Sequence, residues 1–246
     1  MEKIKIIKNP TPEYPFVIIN KPKGLASAPL NAHDKENALY QAAEIFPQIF
    51  NVHGKKEIEY GLVHRIDTVT DGLLLIATTQ DSYDKLLKLQ EEGNFIKYYS
   101  ATCKINKNNG NQLTGFPLFE QNYSLKIGEK IKVSSYFRSF GKGHKEVRPV
   151  TEKSNPAALK KLGKLTLYET EITIQEINED SVKVECKISK GYRHQVRCHL
   201  AWIGLPIDGD PLYNFNFINS EKSDGQKKIA FTATKLEIPG TRFELA

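Results

Sequence analysis

The sequence has few of the features that mark secreted, membrane or metal-binding proteins. Its 246 residues include only three cysteines, Cys103, Cys186 and Cys198. Their odd number and scattered positions exclude a disulfide scaffold and match no zinc site, so we expect a reducing, cytoplasmic compartment. No apolar run approaches the roughly 18 residues that a membrane-spanning helix needs, and no signal-peptide core follows Met1, so we expect no membrane partner. The composition, 39% hydrophobic and 26% charged, is that of an ordinary globular protein.

Nucleotide and metal motifs are also missing from the sequence. It contains no Gly-rich phosphate loop of the P-loop or dinucleotide type. No group of His, Cys and carboxylate residues has metal-ligand spacing. We therefore expect no cofactor and no metal, and we interpret His194 and His199 as satisfied core or surface histidines.

Positive charge is concentrated in one segment. The net charge is +6, and residues 126–164 hold eleven Lys and Arg against three Glu, while the rest of the chain is net negative. Two interpretations of this segment remain open: a solvated Lys-rich surface, or a basic arm that neutralises phosphates.

Arginine is rare and unevenly placed. Six Arg stand against 29 Lys, and three of the six lie in two short motifs, as Arg65, Arg193 and Arg197. A genome poor in G·C would also produce this ratio. A chain that uses Lys by default nevertheless keeps Arg where a planar, always-charged fork must bind a carboxylate, phosphate or base.

Hydrophobic patterning predicts an α+β fold with a mixed, largely antiparallel sheet and flanking helices. Residues 1–14, polar and interrupted by Pro, are predicted to be irregular, and residues 15–246 to form one domain. Strands are predicted near 16–20, 73–77, 95–104, 166–174, 182–188 and 231–238, and helices near 35–46, 81–90 and 193–203. We expect Asp34 to cap the first helix, and the basic segment to form strands joined by a long loop around residues 139–143.

Asp67 is the carboxylate whose position is most informative. It lies between the apolar stretches 62–63 and 73–76, which places its side chain near the interior. A buried carboxylate needs a cation or several hydrogen-bond donors to stay ionised. Asp67 is therefore either a turn residue that binds backbone N–H groups or the partner of a cation. Arg193 and Arg197, four residues apart on a predicted helix, could supply that cation or could form a solvated basic face.

Five segments, in order, resemble the motifs of the RluA-type pseudouridine synthases. They are Asn20–Gly24 (N-K-P-x-G), His64–Leu75 (H-R-L-D-K-D-T-S-G-L-L-L), Lys97–Ala101 (K-x-Y-x-A), Gly191–Leu200 (G-R-T-H-Q-I-R-V-H-L) and Gly204–Tyr213 (G-x-P-I-x-G-D-P-x-Y). The similarity extends over roughly residues 15 to 240. It implies the fold of these enzymes, with a central active-site cleft.

The resemblance also implies a reaction. The family breaks the N1–C1′ bond of a uridine in RNA, turns the base and rejoins it through C5, which requires no cofactor because the reaction is redox-neutral. By the motif match, Asp67 would attack C1′ or remove the C2′ proton, and Arg197 would hold it ionised. Tyr99 would stack on the detached uracil and assist removal of the C5 proton. The uridine must flip out of its helix, and Arg65 would fill the vacated stack.

The family pattern suggests how RNA would be held. Contacts to RNA are implied at Arg65, His64, Lys21, Arg193, Lys142, Lys145 and Arg148, and packing of the site at Ile66 and Leu200. No RNA-binding module of the S4 kind fits before residue 15, so the catalytic domain and its basic insertion around 126–164 would grip the RNA. We expect a monomeric, cytoplasmic enzyme that acts on structured rRNA or tRNA.

Departures from the family pattern keep other functions open. Thr68, Val69, Asp71 and Tyr192 differ from the usual residues, and Phe231–Ala233 replaces an L-H-A triplet. A non-catalytic RNA-binding protein or RNA-folding chaperone would keep the fold and lose the chemistry. A hydrolase with an Asp nucleophile would need an acidic metal cluster or a second carboxylic acid, and neither is visible.

Overall fold

The computed structural model describes residues 2–105, 113–162, 165–218 and 228–245. The chain divides into two compact units. One consists of Met1–Tyr98 and Thr232–Ala246, and the other of Tyr99–Phe231. We call the first the discontinuous unit and the second the inserted unit, because the second interrupts the first in chain order.

Ten strands and five α-helices occur in the described residues. The strands are β1 Lys5–Lys8, β2 Phe16–Lys21, β3 Asp71–Ala77, β4 Ile96–Lys104, β5 Lys130–Phe140, β6 Glu146–Val150, β7 Tyr168–Ile177, β8 Ser181–Ile188, β9 Phe231–Ile238 and β10 Thr241–Glu244. The helices are α1 Ala38–Ile45, α2 Gln80–Glu92, α3 Pro156–Leu159, α4 Gln195–Trp202 and α5 Phe215–Ile218. The predicted α+β class and largely antiparallel pairing are confirmed. None of the helices within the four described ranges has the length and apolarity needed to cross a bilayer.

In the discontinuous unit the strands follow the order β1-β2-β3-β9, and β10 pairs with β9. All these pairs are antiparallel except β3 with β9, which makes the sheet mixed. Strands β2 and β3 are apolar on both faces because helices cover both. Phe16 and Ile18 belong to the same buried cluster as α2, while Val17 and Ile19 lie in the cluster that contains α1.

The two long helices of this unit show where capping can be predicted. Helix α2 ends at Gly93, whose left-handed backbone closes the helix, as the sequence indicates. The predicted cap of α1 is wrong: Asn37, not Asp34, accepts the N–H of Tyr40 at 3.0 Å. Asp34 instead accepts backbone N–H groups from the preceding loop and from Glu36, so it closes a turn just before the helix.

The prediction that residues 1–14 are irregular is wrong for part of that segment. Lys5–Lys8 forms β1 and pairs antiparallel with β2. The outer edge of β2 would otherwise present unpaired N–H and C=O groups. Pairing with β1 satisfies them, although a four-residue strand is too short to give a strong sequence signal.

The inserted unit has the strand order β4-β8-β7-β5-β6, and its pairs β8–β7, β7–β5 and β5–β6 are antiparallel. Part of the basic segment 126–164 is built into this sheet as β5 and β6, and its residues 163–164 lie outside the described part of the chain. The predicted long loop is wrong, because only residues 141–145 separate the two strands. Gly141 and Gly143 adopt left-handed backbone angles there, which permits so tight a connection.

Helix α4 is almost wholly buried and begins later than predicted. His194 precedes it with a left-handed φ of 57°, so Arg193 lies outside the helix. His199 is fully buried and its two ring nitrogens contact Ser135 Oγ at 2.9 Å and Thr170 Oγ1 at 2.8 Å. Burial lowers the pKa of His199 to about 3. His199 is therefore a hydrogen-bonded core histidine, one of the alternatives that the sequence left open.

Gly72 provides a test of the β3–β9 junction. We expect Gly72→Ala to lower the free energy of unfolding by about 3 kcal/mol or more, because φ is +117° and the added Cβ would lie 2.1 Å from Ala233 O. Urea denaturation followed by circular dichroism measures this loss. The matched control is Gly240→Ala, where φ is +80° and no atom lies within 4 Å, so that only backbone strain of about 1–2 kcal/mol remains. Equal losses in the two variants would contradict the steric argument.

Candidate active site

The proposed catalytic side chains are distributed over both units, Asp67 in the discontinuous unit and Tyr99 and Arg197 in the inserted unit. Asp67 is half-buried and follows Ile66 in a segment without regular secondary structure. Ser27 Oγ fixes Ile66 by donating to its carbonyl at 2.6 Å and accepting its N–H at 3.2 Å. The carbonyl of Asp67 accepts the N–H of Thr70 at 2.9 Å, which closes a turn. The backbone on both sides of Asp67 is thus held in place.

His64 contributes to this fixed segment rather than to the surface. It is buried, and its Nε2 accepts the backbone N–H of Leu75 at 3.2 Å. Burial and the charge of Lys97 lower the pKa of His64 to about 3, so the ring is neutral at physiological pH. The expected RNA contact at His64 is therefore replaced by a structural role, because the ring joins the motif of Asp67 to strand β3.

Lys21 has a similar role on the other side of the segment. Its side chain is fully buried, and Nζ donates to the carbonyls of Leu25 at 2.7 Å, Pro22 at 2.9 Å and Thr68 at 3.4 Å. Burial lowers the pKa of Lys21 to about 8, although the charges of Asp71 and Asp67 oppose that shift. The expected RNA contact at Lys21 is replaced by a structural role, because the ammonium group joins the turn at 22–25 to the residue after Asp67.

Arg65 is exposed and lies beside the catalytic motif. Its Nη1 forms an ion pair with Glu59 at 3.2 Å. The Arg65 side chain is 59% exposed, so the pair is open to solvent on this side and contributes about 0–1 kcal/mol. Glu59, which is 12% exposed, also pairs with Lys56. Arg65 can therefore exchange Glu59 for an RNA group at little cost, and its predicted RNA contact is compatible with its position.

Tyr99 lies on β4, and its ring is nearly buried. It stacks on Phe231 with ring centroids 5.2 Å apart and an interplanar angle of 17°. Such an offset stack holds an aromatic ring in one orientation. Phe231 is one of the departures from the family pattern, and here it supplies the aromatic surface that supports Tyr99.

Arg197 is bound through a buried ion pair. Its Nε donates to Asp210 Oδ2 at 2.9 Å and its Nη2 to Oδ1 at 2.8 Å, and the side chains of Arg197 and Asp210 are 2% and 0% exposed. Oδ1 of Asp210 also accepts the N–H groups of Leu212 and Tyr213. This two-point contact fixes the plane of the guanidinium in the inserted unit. It also satisfies the carboxylate with further donors, as a buried ion pair requires.

Comparison with known proteins decides the family. The family model described as RNA pseudouridylate synthase matches residues 15–202, which is most of the chain. The chain belongs to this family. Four of the five motifs that carry the resemblance to RluA-type enzymes lie within the matched region, and the fifth, Gly204–Tyr213, directly follows it.

Individual RNA pseudouridylate synthases are distant relatives. "Ribosomal large subunit pseudouridine synthase D" of Buchnera aphidicola is 27% identical over 198 residues, which cover 80% of this chain and 51% of the relative. "RNA pseudouridine synthase 5" of Arabidopsis thaliana is 27% identical over 216 residues, covering 80% and 52%. The chain thus spans about half the length of these curated relatives.

A solved structure supports the fold alone. The human "RNA Pseudouridylate Synthase Domain Containing 1" superposes with a TM-score of 0.65 at 18% identity and covers 100% of this chain and 83% of that chain. The α+β architecture described above is therefore that of the RNA pseudouridylate synthase family.

Asp210 is a candidate functional residue that the sequence did not single out. It lies in the Gly209-Asp210-Pro211 part of the last family motif, but no role was attached to it. A buried guanidinium requires a carboxylate, and Asp210 is the acidic residue that the pattern G-x-P-I-x-G-D-P-x-Y specifies, so this motif indicates a partner for Arg197. The packing residues predicted for the site are buried, Leu200 in α4 and Ile66 beside Asp67. Among the described residues, no group of three His, Cys, Asp or Glu could hold a metal ion.

Arg148 is buried and does not lie at the surface, where a phosphate contact was expected. It is 3% exposed, its Nη2 pairs with Glu146 at 2.7 Å, and its Nε donates to Thr114 O at 2.7 Å. Its guanidinium also lies 4.1 Å from the centroid of the Phe140 ring. These contacts replace the expected RNA contact, because each RNA phosphate would have to displace a buried partner.

The other basic residues of this region lie at the surface. Lys142 and Lys145 are exposed in the turn between β5 and β6. Arg193 is also exposed, but its Nη2 donates to the carbonyls of His144 at 2.5 Å and Glu146 at 3.1 Å. Arg193 thus supports the turn that presents the two lysines, which remain the stronger candidates for phosphate contacts.

Proposed function

We propose that this chain isomerises uridines in structured RNA, rRNA or tRNA, to pseudouridine. The observation that carries the proposal is Asp67: it occupies the nucleophile position of a family motif, is half-buried, and lies on a backbone fixed by Ser27 and His64. The name of the Buchnera relative makes ribosomal large-subunit RNA the first substrate to test. We also propose a monomer in the cytoplasm, in keeping with three buried, free cysteine thiols.

The proposed roles follow the motif match and the local contacts. Asp67 acts at the sugar, either by attacking C1′ or by removing the C2′ proton, and each route needs an ionised carboxylate. Arg197, oriented by Asp210, is the cation that keeps Asp67 ionised. Tyr99, oriented by Phe231, stacks on the detached uracil and assists the loss of the C5 proton.

Access to the uridine requires base flipping, since an enzyme cannot reach the glycosidic bond of a stacked base. Two features support Arg65 for this step: its side chain is exposed two residues before Asp67, and its ion pair with Glu59 is open to solvent on the arginine side. We propose that its guanidinium leaves Glu59 and fills the vacated stack.

The experiment that tests the function is tritium release. The purified chain is incubated with transcribed large-subunit ribosomal RNA, and separately with bulk transfer RNA, each labelled with tritium at C5 of uridine. Isomerisation replaces the C5 hydrogen and releases tritium into water. No release from either RNA, with RNA binding intact, would favour the non-catalytic RNA-binding alternative.

Lys142 and Lys145 provide a test of RNA contacts. We expect Lys142→Gln/Lys145→Gln to weaken RNA binding and to lower the slope of log K against log salt by about 1.4 to 1.8, because each lost phosphate contact removes about 0.7 to 0.9. Single-turnover rates at saturating RNA should change little. Fluorescence anisotropy with a labelled RNA hairpin over a range of salt concentrations measures the slope.

The matched control for this variant is Lys85→Gln/Lys88→Gln, which removes the same charge from exposed positions of α2 outside the basic segment. If both double variants change the slope equally, the segment acts only through net charge and is the solvated surface that the sequence left open.

A further inference from the structure

Two arginines lie directly opposite each other on the β5–β6 pair. Arg138 and Arg148 are register partners, and they are 9% and 3% exposed. Both guanidinium groups lie over the Phe140 ring, at 5.0 and 4.1 Å from its centroid. Like charges on opposing residues of an antiparallel pair destabilise it unless an anion lies between or beside them.

Within the described residues, only Arg148 of these two arginines pairs with a carboxylate. Arg148 pairs with Glu146, and its other nitrogens donate to the carbonyls of Thr114 and Val147. Arg138, in contrast, forms no ion pair with any carboxylate in the described ranges. Its one hydrogen bond in these ranges is long, from Nη2 to Gly115 O at 3.4 Å. Its Nε is buried and has no hydrogen-bond partner in the same part of the chain.

This arrangement is unfavourable as it stands. A buried cation without a paired anion is destabilising, and an unsatisfied buried N–H adds to that destabilisation. Burial and the neighbouring charge of Arg148 lower the pKa of Arg138, in the direction expected for a cation that lacks an anion. Arginine nevertheless keeps its charge in proteins, so the imbalance is relieved by an anion rather than by loss of a proton.

We propose that Arg138 is a phosphate-binding site whose ligand is a backbone phosphate of bound RNA. The guanidinium offers adjacent N–H donors in a fork that matches two phosphate oxygens. The long bond to Gly115 O is the contact that the phosphate displaces, and Nε then gains the acceptor that it lacks. Gly115 allows this close approach: a Cβ there would lie 3.1 Å from Arg138 Nη2 and 2.8 Å from Phe140 Cε2.

The choice of RNA over free phosphate rests on the proposed function and on charge. Arg138 lies in the basic segment 126–164, which contains eleven Lys and Arg but only three Glu. The positive electrostatic potential of this segment favours binding of a polyanion over binding of a single small ion. The site differs from the exposed lysines of the β5–β6 turn, because it is nearly buried and orients its ligand instead of supplying only charge.

The first experiment measures binding of inorganic phosphate. Thermal unfolding is followed in millimolar phosphate and, at equal ionic strength, in chloride. Millimolar salt is too dilute to stabilise the protein generally through exclusion from its surface. Wild type and Lys130→Gln should melt a few degrees higher in phosphate, because a ligand that binds only the folded state stabilises it. Arg138→Gln should show no such rise. Lys130 is exposed on the same strand, so its variant controls for the loss of one charge.

Arg138→Lys covers the case in which the glutamine variant does not fold. Lys keeps the charge but has no fork, so it should keep less than about half of the wild-type rise in melting temperature. A rise equal to that of wild type in either folded variant at position 138 overturns the site.

The second experiment identifies the source of the phosphate. Binding of a synthetic uridine-containing RNA hairpin is measured over a range of salt, and the slope of log K against log salt should fall by about 0.7 to 0.9 in Arg138→Gln and less in Lys130→Gln. If Arg138→Gln loses the rise in melting temperature with phosphate but keeps the wild-type salt slope for RNA, RNA is not the ligand. The site then binds an adventitious ion only. Tritium release by wild type is measured in parallel. Its absence would reject the isomerase proposal without affecting the two binding results.

Discussion

Asp67→Asn should reduce tritium release from C5 of uridine by at least about 10⁴-fold, the scale of loss when the central group of a catalytic set is removed. Asn has almost the same shape as Asp but has no charge to attack C1′ or to accept the C2′ proton. The local fold should persist, because the segment is held through the backbone and side chains of Ser27, Ile66 and His64. RNA affinity should stay within a few-fold of wild type, as judged by fluorescence anisotropy.

Asp71→Ser is the matched control for that experiment. Asp71 is in the same motif, pairs with Lys23 at 3.5 Å and accepts a hydrogen bond from Thr232 at 2.8 Å. The family pattern has Ser at this position, so the chemistry should not need its carboxylate. We expect this variant to retain most of its activity. Substantial turnover by Asp67→Asn, or equal loss in the two variants, would remove Asp67 from the catalytic role.

Arg197→Met should both inactivate and destabilise the protein. The substitution leaves the Asp210 carboxylate, which is 0% exposed, without its cation, and breaking a buried pair from one side costs about 3–5 kcal/mol. Activity should fall as well, because the proposed partner of Asp67 is lost. Urea denaturation measures the stability, and tritium release under conditions where the variant is folded measures the activity.

The double variant Arg197→Met/Asp210→Asn separates these two effects. Removing the carboxylate charge together with the cation should restore part of the stability, because replacing both members of a buried pair costs less than removing one. Activity should remain low, since a neutral amide at position 210 cannot replace the guanidinium. A double variant that regains wild-type turnover would show that Arg197 serves only the fold.

The parts of the fold that the sequence predicts are those with continuous local patterns. Strands β2 and β3 are apolar runs bounded by turn residues, and α2 combines helical spacing with a terminal Gly93. The cap of α1 was mispredicted because Asp34 and Asn37 are both good caps, and tertiary contacts decide which one is used. The sequence does not reveal the tight connection at 141–145, because polar and basic residues dominate the local composition and hide where β5 ends and β6 begins.

In the candidate site too, residues within local motifs could be predicted from the sequence, whereas contacts between distant residues could not. Asp67, Tyr99 and Arg197 could be proposed because each lies in a motif that resembles a family pattern. Asp210 also lies in a matched motif, but its pairing with Arg197, like the opposition of Arg138 and Arg148, depends on which residues lie beside or opposite each other in space. Burial also changed the interpretation of Lys21 and Arg148, because a charge in the sequence does not reveal whether it faces water.

The chain order of the two units has a consequence for biosynthesis. Strand β3 pairs with β2, which precedes it closely, and with β9, which follows the whole inserted unit. A ribosome therefore releases β3 long before its parallel neighbour, and the Asp71–Gly72 end of β3, which pairs with β9, lacks that partner while Tyr99–Phe231 is being translated. Pairing across so large a sequence separation is slow, and open edges attract other chains. When β9 is synthesised and pairs with β3, this edge gains its partner, and the chain is then less prone to aggregate through it.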